Sequence, residues 1–390
     1  MAVSRSRLIA EAIGQAVSTG SITADGAVSG GGGGVTIHEY DSSGALLTQL
    51  DSSSLTDGSL HYLTKTYEMF LWDDSDGKFY DMGVADNYLG YVPPSPMSGA
   101  TYGYASGGMR PAKQNVIQKW PFSSNGNSSD VGDLTLGRYQ PAGQSSSESG
   151  YTSGGRADPG YVNTIDKFSF ATDGNATDVG DFTGSTRASI GGVNSTENGY
   201  NAGGIPNTNI IDKFPFSTDA NAADVGDLTI ALRGTSGNAS QTYGYVSGGT
   251  NPGNTSQNII QKFIFSVDAN ATDVGDLAEP TSHAASMSSQ THGYSTGGVT
   301  IPTTDSIIIQ KFPFAADGNA VDVANPITYR QRHGGNSSRT HGYTAGGFSS
   351  TGPGGYVNQI SKFEFASDGD ATDVGDLILT VAMVAGDQNY

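Results

Sequence analysis

The run Gly199-Tyr200-Asn201-Ala202-Gly203-Gly204 is followed by Ile210-Ile211-Asp212-Lys213-Phe214-Pro215-Phe216. Asp219-Ala220-Asn221-Ala222-Ala223-Asp224-Val225-Gly226-Asp227 comes next. This stretch decides the fold, because the chain states versions of it six times. A Gly-Tyr two residues ahead of a Gly-Gly also begins at Gly103, Gly150, Gly244, Gly293 and Gly342. The first Gly of each Gly-Gly pair falls at 107, 154, 203, 248, 297 and 346, in steps of 47, 49, 45, 49 and 49. The Lys before each aromatic-x-Phe falls at 119, 167, 213, 262, 311 and 362, in steps of 48, 46, 49, 49 and 51. Separate landmarks that hold one register define a structural repeat.

Each unit reads as β-structure. In Ile210–Phe216, Phe214 and Phe216 share one face while Ile211 and the stem of Lys213 share the other. A strand apolar on both faces must be covered on both sides. No helical period of useful length interrupts the repeats. A period near 48 residues with about four short strands per unit predicts an all-β fold, a β-propeller, over residues 91–390. Six blades are expected. A seventh is the alternative, because Asp81 precedes Asp130 by 49 residues, placing 60–88 one period upstream. Strands crowd near a propeller axis. The Gly-Gly pairs and the small residue before each (Ser106, Ser153, Ala202, Ser247, Thr296, Ala345) are expected to permit close backbone approach there. Leu377–Tyr390 align with the segment ahead of each Gly-Tyr and are expected to supply a strand to the first blade, removing an open edge. The competing segment, Val92-Pro93-Pro94-Ser95-Pro96, carries three prolines and makes a poor interior strand.

Composition narrows function. The 390 residues include 56 Gly, 15 Pro and no Cys, and 19 basic against 38 acidic side chains give a formal charge of −19. That charge repels phosphate backbones, so nucleic acid is not an expected partner. Absence of Cys removes disulfides, thiolate metal sites and Cys nucleophiles. No apolar run is long enough to suggest a membrane-spanning helix. The glycine content alone would also suit a disordered chain, but 19 Tyr and 15 Phe in register argue against it.

Ahead of the repeats, Met1–Ala16 reads as a short amphipathic helix with Leu8, Ile9, Ile13 and Val17 near one face. Five consecutive glycines within 29–34 make a flexible joint. The expected division is 1–34 attachment segment and joint, 35–90 small β module, and 91–390 propeller. Within the module, Leu60–Leu63 and Tyr67–Trp72 alternate as strands, and Asp76-Gly77 turns into Lys78-Phe79-Tyr80.

The repeat resembles the kelch family. The Gly-Gly is kept, Phe-x-Phe stands in place of the kelch Tyr and Trp, and an Arg recurs after the Asp-Val-Gly-Asp stretch at Arg138, Arg187, Arg233 and Arg330. The layout as a whole resembles tail-fibre and other appendage proteins of marine bacteriophages, on Gly58-Ser59 with Phe70-Leu71-Trp72-Asp73-Asp74 over residues 1–90. That resemblance implies location in a virion and attachment to other virion proteins through the N-terminal segment. It also implies a homotrimer and contact with a host-surface glycan or protein. The alternatives are a propeller hydrolase or lyase acting on host glycans, and a passive capsid or tail decoration subunit.

Three sets of residues bear on chemistry. Each unit carries an Asp/Asn-x-Asn/Asp-x-x-Asp turn, such as Asp173/Asn175/Asp178, whose oxygens suit either Ca²⁺ or a turn that bonds its own backbone. The second reading is adopted, with no metal and no cofactor. The repeated Lys reads as an ion-pair partner for a repeat Asp. His292 and His341 share a repeat position with Tyr102 and Tyr243, as packing residues do. Six equivalent Asp copies do not make a unique glycosidase pair, so no catalytic residue is assigned. Ligand contact is expected where units differ, in the segments after Gly-Gly: 109–114, 156–164, 205–209, 250–257, 299–306 and 348–358. Within them Tyr161, Phe348 and Tyr356 are candidate aromatics for stacking on sugar rings.

Overall fold

The computed structural model describes residues 101–388 except 183–185, 303 and 350–354, together with the backbone of four strands between 37 and 84. Two compact units divide between Pro93 and Pro94. In the first, Ile37–Tyr40, Leu60–Leu63, Glu68–Asp73 and Lys78–Val84 form one sheet in chain order, the first pair parallel and the others antiparallel. The helix expected at 1–16 and the glycine joint at 29–34 lie outside the described residues.

The second unit is six four-stranded antiparallel sheets. From axis to rim, blade 2 runs Ala142–Ser145, Ser149–Ser153, Thr164–Ser169 and Thr177–Asp181. Blades 3 to 6 repeat this order, with innermost strands Gly191–Asn194, Ser236–Ala239, Ala285–Ser288 and Gly334–Ser337. Blade 1 takes its innermost strand from the far end of the chain: Ala385–Gln388 pairs with Tyr102–Ser106, followed outward by Val116–Pro121 and Ser129–Asp133. Each innermost strand touches those of both neighbours in a closed cycle. The ring is thus complete with six blades, and residues 60–88 are not a seventh. No helix occurs among the described residues.

The seams between blades explain the sequence signature. The Gly of Gly-Tyr pairs across the sheet with the aromatic after Lys, as Gly150 does with Phe168, and a Cβ there would lie 2.2 Å from the Phe168 ring. The ring lies flat over the glycine because nothing projects from it. The adjacent Tyr points the other way, onto the next blade. Tyr151 stacks on Phe216 at 4.8 Å and tilts against Phe214 at 5.5 Å. Tyr104, Tyr200, Tyr245 and Tyr294 repeat this against the Phe pairs of the following blades, and Tyr343 closes the ring on Phe122 at 4.5 Å. Such pairs add about 0.5–1.5 kcal/mol each beyond the area they bury.

Polar groups stitch the outer part of every seam. Lys119, Lys167, Lys213, Lys262 and Lys311 pair with Asp173, Asp219, Asp268, Asp317 and Asp368 of the next blade, as the sequence suggests. At the sixth seam Lys362 donates to the neutral Asn125. The second turn residue also reaches across: Asn175 Oδ1 accepts the Asp133 N–H, and Asn221, Asn270, Asn319 and Asn127 do likewise, each at 3.0 Å. The third keeps to its own turn, Asp178 Oδ1 accepting from the Gly180 N–H at 3.2 Å.

Two expectations are corrected near the axis. The Gly-Gly pairs end the second strand, not the innermost one. All twelve glycines have positive φ, from 61° to 126°, which side-chain-bearing residues rarely adopt. Close backbone approach holds there as well, since a Cβ on the first Gly of each pair would lie 2.3–2.7 Å from a crossing carbonyl oxygen, and it recurs at Gly143, Gly192, Gly237, Gly335 and Gly386 on the innermost strands. A Cβ on any of them would come within 2.0–2.4 Å of a neighbouring strand's carbonyl oxygen. The Arg register also needs correcting. Arg138, Arg187 and Arg330 occupy one buried position, but Arg233 lies one residue beyond it, and blade 4 has Leu232 there.

That position varies together with the third strand. In blade 2, Arg138 pairs with Asp166 at 2.8 Å, both side chains inaccessible, and donates to the Thr152 and Thr164 carbonyls. Asp166 also accepts from the Thr135 N–H and hydroxyl at 2.9 and 2.7 Å. In blade 4, where Leu232 replaces Arg, Gln261 replaces Asp and accepts from the Thr229 N–H and hydroxyl at 2.6 and 2.7 Å. The acceptor for the crossing loop is preserved whether or not the ion pair exists.

Two outcomes follow for unfolding experiments. Arg138→Leu strands a buried carboxylate and is expected to destabilise by about 3–5 kcal/mol. Arg138→Leu with Asp166→Gln, which copies blade 4, is expected to regain most of that loss; equal instability of both variants would refute the exchange. Gly150→Ala is expected to cost about 1–3 kcal/mol through overpacking on Phe168. Gly160→Ala, with no atom within 4 Å of the added Cβ, serves as its near-neutral control.

Candidate functional site at the axial mouth

Strand direction sorts the loops onto two ends. The segments after Gly-Gly and the crossings between blades share one end, and the Asp-rich turns lie at the other. Each post-Gly-Gly segment is anchored by a bridge to the crossing that opens its ring position: Met109 to Ala382, Arg156 to Tyr139, Ile205 to Ala188, Thr250 to Arg233, Val299 to Ser282 and Phe348 to Gln331. The next residue of each crossing faces the axis. Gln140, Ser189, Gly234, His283, Arg332 and Met383 all have φ between 55° and 63°. Each donates its N–H to the carbonyl of the one before it, and Gln140 closes the cycle by donating to Met383, at 2.6–2.9 Å. Six backbone hydrogen bonds thus form a closed collar. Five of its residues bear side chains in the left-handed region, an unfavourable conformation that surrounding structure must impose.

The collar rims a cavity of about 100 Å³ that reaches one residue deeper, to Ile190, Thr235, His333 and Val384. The six glycine-rich innermost strands line the axis beneath it. Among the described residues, no Asp or Glu lines either space. Arg332 stands at the mouth with its Nε buried and without a hydrogen-bond partner, and the Ser189 hydroxyl and His333 Nδ1 are likewise unpartnered. Burial lowers the pKa of Arg332, against the opposing influence of Tyr356, Asp305 and Tyr139. Burial, followed by the nearby arginines, lowers the pKa of His283 to about 3, and burial beside Arg330 does the same to His333. Both rings are therefore neutral at pH 7.

This end is electrically unlike the rest of the chain. Its loops carry Arg110, Lys113, Arg156, Arg233 and Arg332 against Asp158, Glu279 and Asp305 among the described residues, apart from the buried Arg138, Arg187 and Arg330. The carboxylates of the opposite end are largely committed to lysines and backbone N–H groups across and within the seams.

The three aromatics singled out in the sequence all lie on this end and are half-buried. Phe348 and Tyr356 are cross-strand partners in blade 6, packed edge to face at 5.7 Å. Tyr161 belongs to blade 2, where the Arg156 guanidinium lies between it and Tyr139, 5.7 and 6.0 Å from the two rings. Blade 1 separates the two groups. Sequence reasoning passed over the collar, because its six members have six different side chains. Its one sequence trace is a constant offset, each member lying two residues beyond the Arg138 position.

Fold and mouth together define a six-bladed β-propeller with a polar, carboxylate-free axial pocket. No protein-family model and no curated protein matches the chain. Among 382 solved chains that match is one titled "Structure of YjhT", with a TM-score of 0.56 at 14% identity, covering 65% of this chain and 88% of that one. Likeness at that identity establishes the propeller fold and assigns no activity. No helix among the described residues is long and apolar enough to cross a membrane.

The buried histidines make stability pH-dependent. An unfolded His takes up its proton near pH 6.5, a folded His333 only near pH 3, so its contribution is intact above about 6.5 and is lost as pH falls toward 3. Asp387 opposes this trend, since burial raises its pKa well above the usual carboxylate range and favours folding at lower pH. The comparison is therefore with His333→Val, which copies Val384 of the equivalent position. Between pH 4 and 6, the variant's unfolding free energy should fall less steeply on acidification, by up to about 1.4 kcal/mol per pH unit. Parallel curves would show that His333 is protonated in the folded protein.

Proposed function

We propose that the chain is a structural protein of a bacteriophage virion, a tail fibre or similar appendage that displays the propeller for host-surface adhesion without catalysing a reaction. The N-terminal segment attaches it to other virion proteins, and a homotrimer is the expected assembly. One observation carries the adhesive part of this reading. Residues repeated six times are used to close the seams, while the loops that differ gather cations and aromatic rings at one end of a rigid ring. That division suits recognition by variable loops on a fixed scaffold. A glycan hydrolase would need a pair of carboxylates about 5–10 Å apart facing a substrate, and the residues lining the axial spaces include none. The virion assignment rests on the resemblance of residues 1–90.

Two measurements test the proposal. Gold-labelled antibody against the propeller should decorate intact particles at an appendage, and should fail to do so on particles assembled with residues 1–34 deleted. Host polysaccharide should retain the intact chain and release a variant with Tyr161→Ala, Phe348→Ala and Tyr356→Ala. Equal retention of both, with unchanged melting curves, would sink the aromatic assignment. Label on the capsid with no polysaccharide binding would replace the adhesin by a passive decoration subunit.

A further inference from the structure

The axial mouth presents buried polar atoms without partners, which folded proteins avoid. A buried hydroxyl or guanidinium N–H left unsatisfied costs about 1–3 kcal/mol, more where charge is involved. Here two stand on opposite sides of one small space: the Ser189 hydroxyl from blade 3 and Arg332 Nε from blade 6. The collar itself cannot satisfy them. Each of its N–H groups and carbonyls is already engaged in the closed cycle of hydrogen bonds. Gln140, beside Ser189 on the collar, adds a carboxamide.

The charge of the site is equally specific. Arg332 makes no ion pair among the described residues; Asp305, the carboxylate that acts on it electrostatically, accepts from the Gln331 carboxamide at 2.9 Å. Asp305 reduces the local positive potential without occupying the mouth. His283 and His333 are neutral there, so the pocket carries the single charge of one guanidinium. A planar guanidinium matches a carboxylate through two parallel N–H···O bonds. A volume of about 100 Å³ holds roughly three waters. That is room for a carboxylate and its first carbons but not for a whole sugar.

The geometry points to the axial mouth as a binding site for a small carboxylate, held by Arg332 with the Ser189 hydroxyl and the Gln140 amide as further donors. The carboxylate is free or is the acid group of a saccharide whose remainder lies outside, toward Tyr139 and Tyr356. This assignment is independent of the virion reading and of the rim aromatics Tyr161 and Phe348.

The test is ligand-observed NMR on the full chain with acetate, D-glucuronate, D-glucose and sulfate. Acetate and glucuronate are expected to bind with Kd on the order of millimolar, and glucose is not. Glucuronate binding tighter than acetate would make the sugar part of the ligand; equal affinities would assign the carboxylate alone. Arg332→Gln is expected to weaken binding at least tenfold. Ser189→Ala removes a hydroxyl that bonds nothing in the protein, so it should leave the melting temperature unchanged or raised while weakening binding several-fold. A role in packing alone would not produce that combination. Should Arg332→Gln fail to fold, Ser189→Ala decides. Unchanged carboxylate binding in either folded variant overturns the site, as does sulfate binding as tightly as acetate, or no carboxylate binding at tens of millimolar.

Discussion

A tyrosine from one blade lies flat on a phenylalanine of the next, and the rest of the ring depends on that contact. It requires a glycine beside the tyrosine, because the cross-strand aromatic of the same blade must cover the backbone where a Cβ would stand. Gly150, Tyr151, Phe168, Phe214 and Phe216 are thus one steric device. Six copies leave no outward-facing apolar edge, since each sheet is packed between two others and the last seam joins Tyr343 to Phe122. Closure by Ala385–Gln388 ties the end of the chain to the blade that follows the first unit, so the apolar seams and the strand pairing support each other.

Much of this was legible in the sequence, and the part that was not has a physical cause. Periodicity exposes residues whose side chains do the same work six times. Hence the Gly-Tyr strand, the Phe-x-Phe face, the Lys–Asp pairs and the turn-forming Asp178 were readable from spacing. Periodicity is silent about backbone dihedrals. The Gly-Gly pairs announce the crowding around them but not the positive φ that they also adopt at a strand end. The innermost-strand glycines, such as Gly192 and Gly237, crowd as closely but share no constant neighbour and give way to Ser286 in one blade, so no motif announces them.

The Arg positions show a different limit. Four arginines at similar spacing look equivalent, yet one residue separates a buried ion-pair partner from a rim side chain. Arg187 is sealed against Asp212, while Arg233 reaches Asn207 and Asn254 on the loops. What blades 2 and 4 share is an acceptor for the crossing loop, supplied by Asp166 with an arginine or by Gln261 without one. Counter-charge and neutral amide are interchangeable there because both satisfy the same N–H. The paired exchange, not either residue alone, keeps the buried charge balanced.

The collar turns these constraints toward function. Its hydrogen bonds run through backbone atoms alone, so φ is fixed at each of the six positions while the side chain is left unconstrained. A repeat protein has few such positions. Wherever side chains close the seams, six-fold equivalence suppresses difference; at the collar, Gln, Ser, Gly, His, Arg and Met coexist without disturbing closure. The one arginine among them becomes unique, and uniqueness is what a single ligand on a six-fold scaffold requires. The chain's excess of acid falls on the same logic. Carboxylates repeat where they neutralise lysines and cap turns, away from the axis, and, among the described residues, the mouth is left with an unpaired cation in a space that no acidic side chain lines.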